Sequence, residues 1–280
     1  MSSVVLITGC STGIGAAMAR DFQQRGLQVY ATARRPDSLA ALAAEGIATL
    51  QLDVNDDASI AAAMAEVESS AGRLDILVNN AGFSQVGAVL DLAREDLRSQ
   101  YETNVIAPVA VTRAAMPLLR KAVSEKGSAT VVNVGSIVGL FTTPFAGAYC
   151  SSKAAIHSLS DALRMELAPF GIALVMVQPG GIRSAFGDSA EGAIRLPEDS
   201  LYRPVEAGLR ARAQAGQQGA TPAEEFVKPV IDKLLSDSPP PVIRGGKNSV
   251  RLPLMKKLLP LKAFDRALVK TFGLDRFKPD

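Results

Sequence analysis

Short runs of β-branched and aliphatic residues alternate along the chain with longer stretches that place an apolar residue every third or fourth position. Residues 3–8 (SVVLIT) form the first short run and predict a strand. It stops at a glycine-rich turn, after which Met18, Ala19 and Phe22 set a helical spacing that ends near Gly26. The strand signal returns at 27–33 (LQVYATA), 47–54 (IATLQLDV), 74–82 (LDILVNNAG), 128–136 (SATVVNVGS) and 172–178 (IALVMVQ). Between these runs the pattern predicts helices over 56–71, with Asp56 or Asp57 as the cap, over 96–126 and over 147–170. Six strand–helix alternations predict a doubly wound parallel sheet with helices on both faces, and a late run at 240–245 (PPVIRG) supplies a seventh strand. Two further helical segments are predicted near 205–215 and 223–236. The tail from Arg251 to Phe272 reads as one amphipathic helix, with Leu261, Phe264, Leu268 and Phe272 on one side and Lys262, Arg266 and Lys270 as a basic stripe.

Length and composition fit this reading. A chain of 280 residues, 48% of them hydrophobic, buries a large core, and one α/β domain over 1–280 accommodates it. Cys10 and Cys150 have no spacing suited to a disulfide framework or a zinc site, and no metal site is expected. The beginning MSSVVLITG lacks a basic segment followed by a long apolar run, and no stretch approaches the roughly 20 apolar residues that span a bilayer. A cytoplasmic protein is expected, with any membrane contact peripheral. The net charge of +2 is unevenly spread: residues 242–280 carry ten Lys and Arg against three Asp and Glu, so the rest of the chain is acidic. A basic amphipathic tail over 250–280 can lie on an anionic membrane or pack on the domain or a second subunit, and packing is the expectation. No pattern points to nucleic acid.

The candidate chemistry lies at the strand ends. Gly9, Gly13 and Gly15 in TGCSTGIG let the backbone turn tightly and approach a pyrophosphate at the N-terminus of the next helix, although the same turn also serves as an ordinary β–α connection. At the end of the second strand, where an acid would bond the ribose hydroxyls of NAD, stand Ala33, Arg34 and Arg35. Arginine there pairs with a 2′-phosphate, which points to NADP. Asp53 and Asn79–Gly82 also follow strands, at the edge where open parallel sheets bind ligands; turn chemistry accounts for them equally. Tyr149 and Lys153 are four apart on a predicted helix, so an ammonium sits one turn from a phenol and favours its ionised form. Alone, such a pair is also ordinary surface decoration. The single histidine, His157, is read as a packed or interface residue, and Cys150 as core.

Taken together, TGxxxGxG at Thr8 to Gly15, NNAG at 79–82, Asn104, Ser136, YxxxK at 149–153 and PG at 179–180 resemble the short-chain dehydrogenase/reductase family over residues 3 to about 184. The resemblance implies a Rossmann-type fold and an NADP(H)-dependent oxidoreductase that interconverts a carbonyl and an alcohol. It implies that Tyr149 is the general acid or base, that Ser136 bonds the substrate oxygen, that Lys153 lowers the tyrosine pKa and holds the nicotinamide ribose, and that Asn104 completes a proton relay through water. It further implies cofactor contacts at Gly9, Ser11, Thr12, Gly13, Ile14 and Gly15, at Arg34, Arg35, Asp53 and Val54, and at Asn80, Ala81 and Gly82. The remaining implied contacts are Tyr149, Lys153, Pro179, Gly180, Ile182 and Ser184, the last standing where the family commonly has threonine. Arg183 reads as a solvent-facing loop arginine.

Beyond Ser184 the shared pattern ends. Residues 185–236, with Phe186, Ile194, Leu196, Leu201 and Tyr202, are expected to form a substrate lid suited to a lipophilic guest such as a retinoid, steroid or fatty aldehyde, since TGCSTGIG and VYATAR resemble the steroid and retinol branch. The family also implies a homodimer or homotetramer through the helices at 96–126 and 147–170. The alternatives are a nucleotide-binding regulator without turnover and a structural subunit, but the Asn–Ser–Tyr–Lys set that a regulator would be expected to lose is complete.

Overall fold

The computed structural model describes residues 2–277. Its main sheet has seven parallel strands in the order β3-β2-β1-β4-β6-β7-β9: β1 Val4–Ile7, β2 Gln28–Ala33, β3 Ala48–Gln51, β4 Ile76–Asn79, β6 Ala129–Val134, β7 Ile172–Pro179 and β9 Val242–Gly245. The chain starts at the third position, winds outward to β3, then crosses to β4 and continues to β9. That reversal between β1 and β4 opens a crevice at the carboxyl ends of the strands. Each strand that the alternation predicts is present.

Because side chains alternate across a strand, β1 feeds two cores. Val5 and Ile7 pack toward α1 (Gly13–Gln24) and α9 (Ala223–Leu234), with Phe22, Val227 and Ile231 in the same cluster. Val4 and Leu6 face the opposite layer of α3 (Asp57–Ala71) and α5 (Ala107–Lys126), joined by Leu167 of α6 (Gly147–Leu167). Asp56 caps α3 by accepting from the Ala58 N–H. A buried polar ladder ties the layers together: Asn79 donates to Asn133 Oδ1 at 2.9 Å and Thr112 Oγ1 at 3.0 Å, and Asn133 donates to Ser160 Oγ at 2.8 Å.

Three features depart from the predicted pattern. The helix expected over 96–126 begins as α4 (Arg94–Tyr101) and passes through a π turn at Glu102–Ile106 before α5. The extra residue in that turn re-aims Asn104, and such bulges recur at functional sites. Between β2 and β3 the chain forms a 3-10 turn and the short α2 (Ala40–Ala44). Two dipeptides, β5 (Val86–Gly87) and β8 (Ile194–Arg195), form a separate parallel pair that fastens the lid to the body.

The stretch 185–236, expected as a lid, holds α7 (Phe186–Gly192), β8, α8 (Glu206–Gln214) and α9, of which α9 belongs to the core layer beside α1. The tail is not one helix but two, α10 (Arg251–Leu258) and α11 (Leu261–Thr271). Leu259 precedes Pro260 and takes φ −83°, ψ 143°, because a residue before proline is driven out of the helical region. The expected packing belongs to α11: Phe264 and Phe272 are buried, and Phe264 meets Phe141 edge-to-face at 5.9 Å. The last part of the expected tail, 278–280, lies outside the described residues.

Phe264→Ala is expected to cost about 3 kcal/mol by thermal or denaturant unfolding, the usual loss for a buried phenylalanine. Leu258→Ala, at a position 69% exposed, is expected to stay within about 0.5 kcal/mol. Equal effects at the two positions would show that α11 does not pack as described.

Candidate active site

The glycine turn is held by its neighbour strand. Thr8 Oγ1 accepts the backbone N–H groups of Asn80 and Ala81 at 2.9 and 3.0 Å, and Asn80 Nδ2 donates to the carbonyls of Thr8 and Gly9, both at 2.9 Å. The Asn80 carboxamide is therefore a brace between the ends of β1 and β4. Gly9 and Gly13 have φ of 71° and 61°, values that only glycine adopts freely. Space is equally exacting: a Cβ on Gly15 would lie 2.5 Å from the Gly9 carbonyl oxygen, and one on Gly13 would lie 2.7 Å from Ser184 Cβ. Ser11, Thr12 and Ile14 ride on this turn, and a cavity of about 250 Å³ opens against it, lined in part by Ser11, Thr12, Gly13, Ser38 and the exposed Arg183.

Arg34 and Arg35 project from the end of β2 into solvent, and neither has a carboxylate partner among the described residues. Asp53 accepts the Asn55 N–H at 3.0 Å in a turn after β3, beside the buried Val54. An exposed guanidinium pair, a braced glycine cradle and the N-terminus of α1, which has no side-chain cap, fit a phosphorylated dinucleotide.

On the other side of the crevice, Ser136 lies two residues past the end of β6 and α6 begins eleven residues later. Lys153 is 5% exposed and donates from Nζ to the Val134 carbonyl at 2.9 Å, lying 5.8 Å from the centre of the Tyr149 ring. Burial presses its pKa down to about 8. Tyr149 is pushed up to about 12, again by burial, which outweighs the hydrogen bond from Ser136 and the positive charge of Arg212. The phenol is thus a proton donor throughout the neutral range. Phe186 of the lid lies across the Tyr149 ring at 5.6 Å.

Asn104 is buried; its Oδ1 accepts from the Phe83 N–H at 3.2 Å, while Nδ2 donates to the Phe83 carbonyl at 3.0 Å and to Ser152 Oγ at 3.2 Å. Asn104 and Lys153 converge on Gly82, where an added Cβ would lie 3.1 Å from the one and 3.8 Å from the other. Pro179, Gly180 and Ile182 border the same crevice after β7, with Gly180 so tight on the Lys247 carbonyl that no side chain fits. Ser184 sits against Gly13 and takes a hydrogen bond on Oγ from the Phe186 N–H at 3.3 Å. The sequence offered this serine as a cofactor contact; its additional contact with Gly13, which ties the segment after β7 to the glycine cradle, had no signal in the sequence.

His157 has a role its sequence position did not reveal. It fits against Gly135 and Gly139, and its Nε2 accepts the backbone N–H of Ser136 at 3.5 Å. Burial, aided by the charges of Lys153 and Arg244, holds its pKa near 4, so it is a neutral support for the Ser136 loop and not a base. The glycines that make room for it were the available signal. Cys150 is buried as expected, and Cys10, whose thiol burial pushes up to about 12, is inert.

Comparison with known proteins agrees with this geometry. The family model described as short chain dehydrogenase matches residues 3–193. A short-chain dehydrogenase/reductase of Pestalotiopsis microspora is 38% identical over 97% of this chain and 94% of its own length. An NADPH-dependent 1-acyldihydroxyacetone phosphate reductase of Schizosaccharomyces pombe is 36% identical over 87% of this chain and 79% of its own. A solved short-chain dehydrogenase from Streptomyces avermitilis superposes with a TM-score of 0.79 at 31% identity, covering 100% of this chain and 99% of the other. With that family model matched over residues 3–193 and a relative 38% identical over nearly its whole length, this chain, whose braced glycine turn faces a tyrosine and lysine one helical turn apart, belongs to the short-chain dehydrogenase/reductase family of oxidoreductases.

Proposed function

We propose that this oxidoreductase uses NADP(H) to interconvert the carbonyl and alcohol forms of a lipophilic aldehyde or ketone, with 1–280 as one domain whose 185–236 stretch is the substrate lid. The observation that carries the reading is the half-buried Tyr149, one helical turn from the buried Lys153 amine, which lies 5.8 Å from its ring, on the helix that follows the Ser136 loop. Gly9, Ser11, Thr12, Gly13, Ile14 and Gly15 would receive the pyrophosphate, Arg34 and Arg35 the 2′-phosphate, and Asp53 and Val54 the adenosine end. Asn80, Ala81 and Gly82 line its path, and Lys153, Pro179, Gly180, Ile182 and Ser184 hold the nicotinamide end. When bound, NADPH supplies the hydride.

The chain's own groups handle the proton. Ser136 and Tyr149 bond the carbonyl oxygen, and Tyr149 gives up its proton as negative charge develops there. In the free chain the phenol carries the proton that carbonyl reduction requires. Asn104, fixed by Phe83 and Ser152, joins a water-mediated path that reprotonates the site. The fission yeast relative, named as an NADPH-dependent reductase, supports NADP(H) and carbonyl reduction. Phe186 against the Tyr149 ring supports a lipophilic substrate of the retinoid, steroid or fatty aldehyde kind, whereas Ile194, Leu196 and Tyr202 anchor the segment on its own hydrophobic cluster.

Exposed Ile106, Leu159 and Met165 on the helices 94–126 and 147–167 support a homodimer or homotetramer, and a cytoplasmic location suits the soluble cofactor. Among the described residues no helix is long and apolar enough to cross a membrane. The unpacked face of the tail is on α10, where Val250, Leu254 and Leu258 are exposed beside Arg251, Lys256 and Lys257, a combination that suits an anionic lipid surface.

NADPH oxidation with hydrophobic carbonyls is expected to outpace that with small polar ones and with NADH. Tyr149→Phe is expected to lose at least about 100-fold in rate while binding NADPH normally by fluorescence titration. Turnover retained in Tyr149→Phe, or equal rates with NADH, would count against the reading. The full-length protein is expected to sediment with phosphatidylserine vesicles and to lose that binding in Leu254→Asp; no sedimentation removes the lipid contact.

A further inference from the structure

Arg212 lies on the inner face of α8 and is 9% exposed. The helix has no freedom to turn it outward: Leu209 and Ala213 are buried with Val86, Phe145, Val205 and Phe272, and Gly208 abuts the Phe272 carbonyl too closely for any side chain. Its guanidinium makes one hydrogen bond, from Nε to Thr143 Oγ1 at 2.6 Å. Thr143 belongs to the segment between Ser136 and Tyr149, so the charge is fastened to the wall of the catalytic crevice, where it acts on the Tyr149 hydroxyl.

A guanidinium offers five N–H donors and a fixed charge, and burying it without a counter-ion is costly. Among the described residues Arg212 has no carboxylate partner. The acids around it are committed elsewhere: Glu206 and Glu191 pair with Arg210 at 2.8 and 3.5 Å, and Asp188 and Glu191 accept from Gln214. The buried Arg73, by contrast, has Asp75 and Glu125. The fork of Arg212 matches the paired oxygens of a carboxylate or phosphate.

Building on the carbonyl-reductase reading, we propose that Arg212 is the subsite for an anionic group on the substrate, so that the preferred substrates are ketones or aldehydes carrying a carboxylate or phosphate on an otherwise lipophilic body. The anion replaces the water lost by the guanidinium and fixes the carbonyl against Ser136 and Tyr149. The apolar remainder lies against Phe186 and the lid.

The test uses the full-length enzyme with NADPH and matched ketones of one chain length: the carboxylate, its methyl ester, the phosphate monoester and its parent alcohol. At least one anionic member is expected to exceed its neutral partner in kcat/KM by about tenfold or more, the worth of one charge-assisted hydrogen bond, mostly through KM. Which anion gains tells carboxylate from phosphate. Arg212→Gln is expected to bring that ratio near one, and Arg212→Lys, which keeps the charge, to retain part of it. Neutral partners that match or exceed both anions in the wild-type enzyme would overturn the proposal without any variant, as would a ratio unchanged in a folded Arg212→Gln. Absence of turnover with every carbonyl would instead sink the reductase reading on which it rests.

Discussion

The site depends on holding a half-buried phenol one turn from a buried amine on a single helix. In solution the lysine would be charged and the tyrosine a very weak acid; the fold brings the lysine nearer neutral pH and keeps the tyrosine protonated. Burial moves the two in opposite directions, the lysine to about 8 and the tyrosine to about 12. The pairing inferred from the four-residue spacing treated the lysine charge as the chief influence on the phenol. In the folded chain desolvation is larger, and the opposing contributions come from Ser136 and Arg212. That burial requires the wall formed by Phe186, the Ser136 loop and His157, and it requires the sheet edge to be fixed.

The edge is fixed by Thr8 and Asn80, which lace the glycine turn to the end of β4. Since the turn also touches Ser184, the cradle, the lid and the tyrosine form one connected assembly. Phe186 therefore touches both ends of the site: its ring rests on the tyrosine while its backbone N–H bonds the serine against Gly13.

Much of this was legible in the sequence because the strands and helices announce themselves by different periods, and because the glycine and asparagine motifs fall at strand ends and the tyrosine–lysine pair on a helix, in a fixed order. What was not legible depends on contacts between distant segments. The π turn at Asn104 has no periodicity of its own. The β5–β8 pair is two residues long, too short for alternation to register. Arg212 stands in EAGLRARAQ, whose composition reads as a solvated helix, and only the packing of Leu209 and Gly208 reveals that it faces inward. The break at Pro260 was readable from proline chemistry, yet the regular spacing of Leu261, Phe264, Leu268 and Phe272 concealed it.

The central claim, that burial holds Tyr149 as a neutral phenol poised to donate a proton, is tested most directly by ultraviolet titration of tyrosinate absorbance. The chain has four tyrosines and no tryptophan, so subtracting Tyr149→Phe from the wild-type curve isolates one group. The account expects no phenolate from Tyr149 in the free protein up to pH 10. A Tyr149 midpoint near pH 7 or 8 would contradict it.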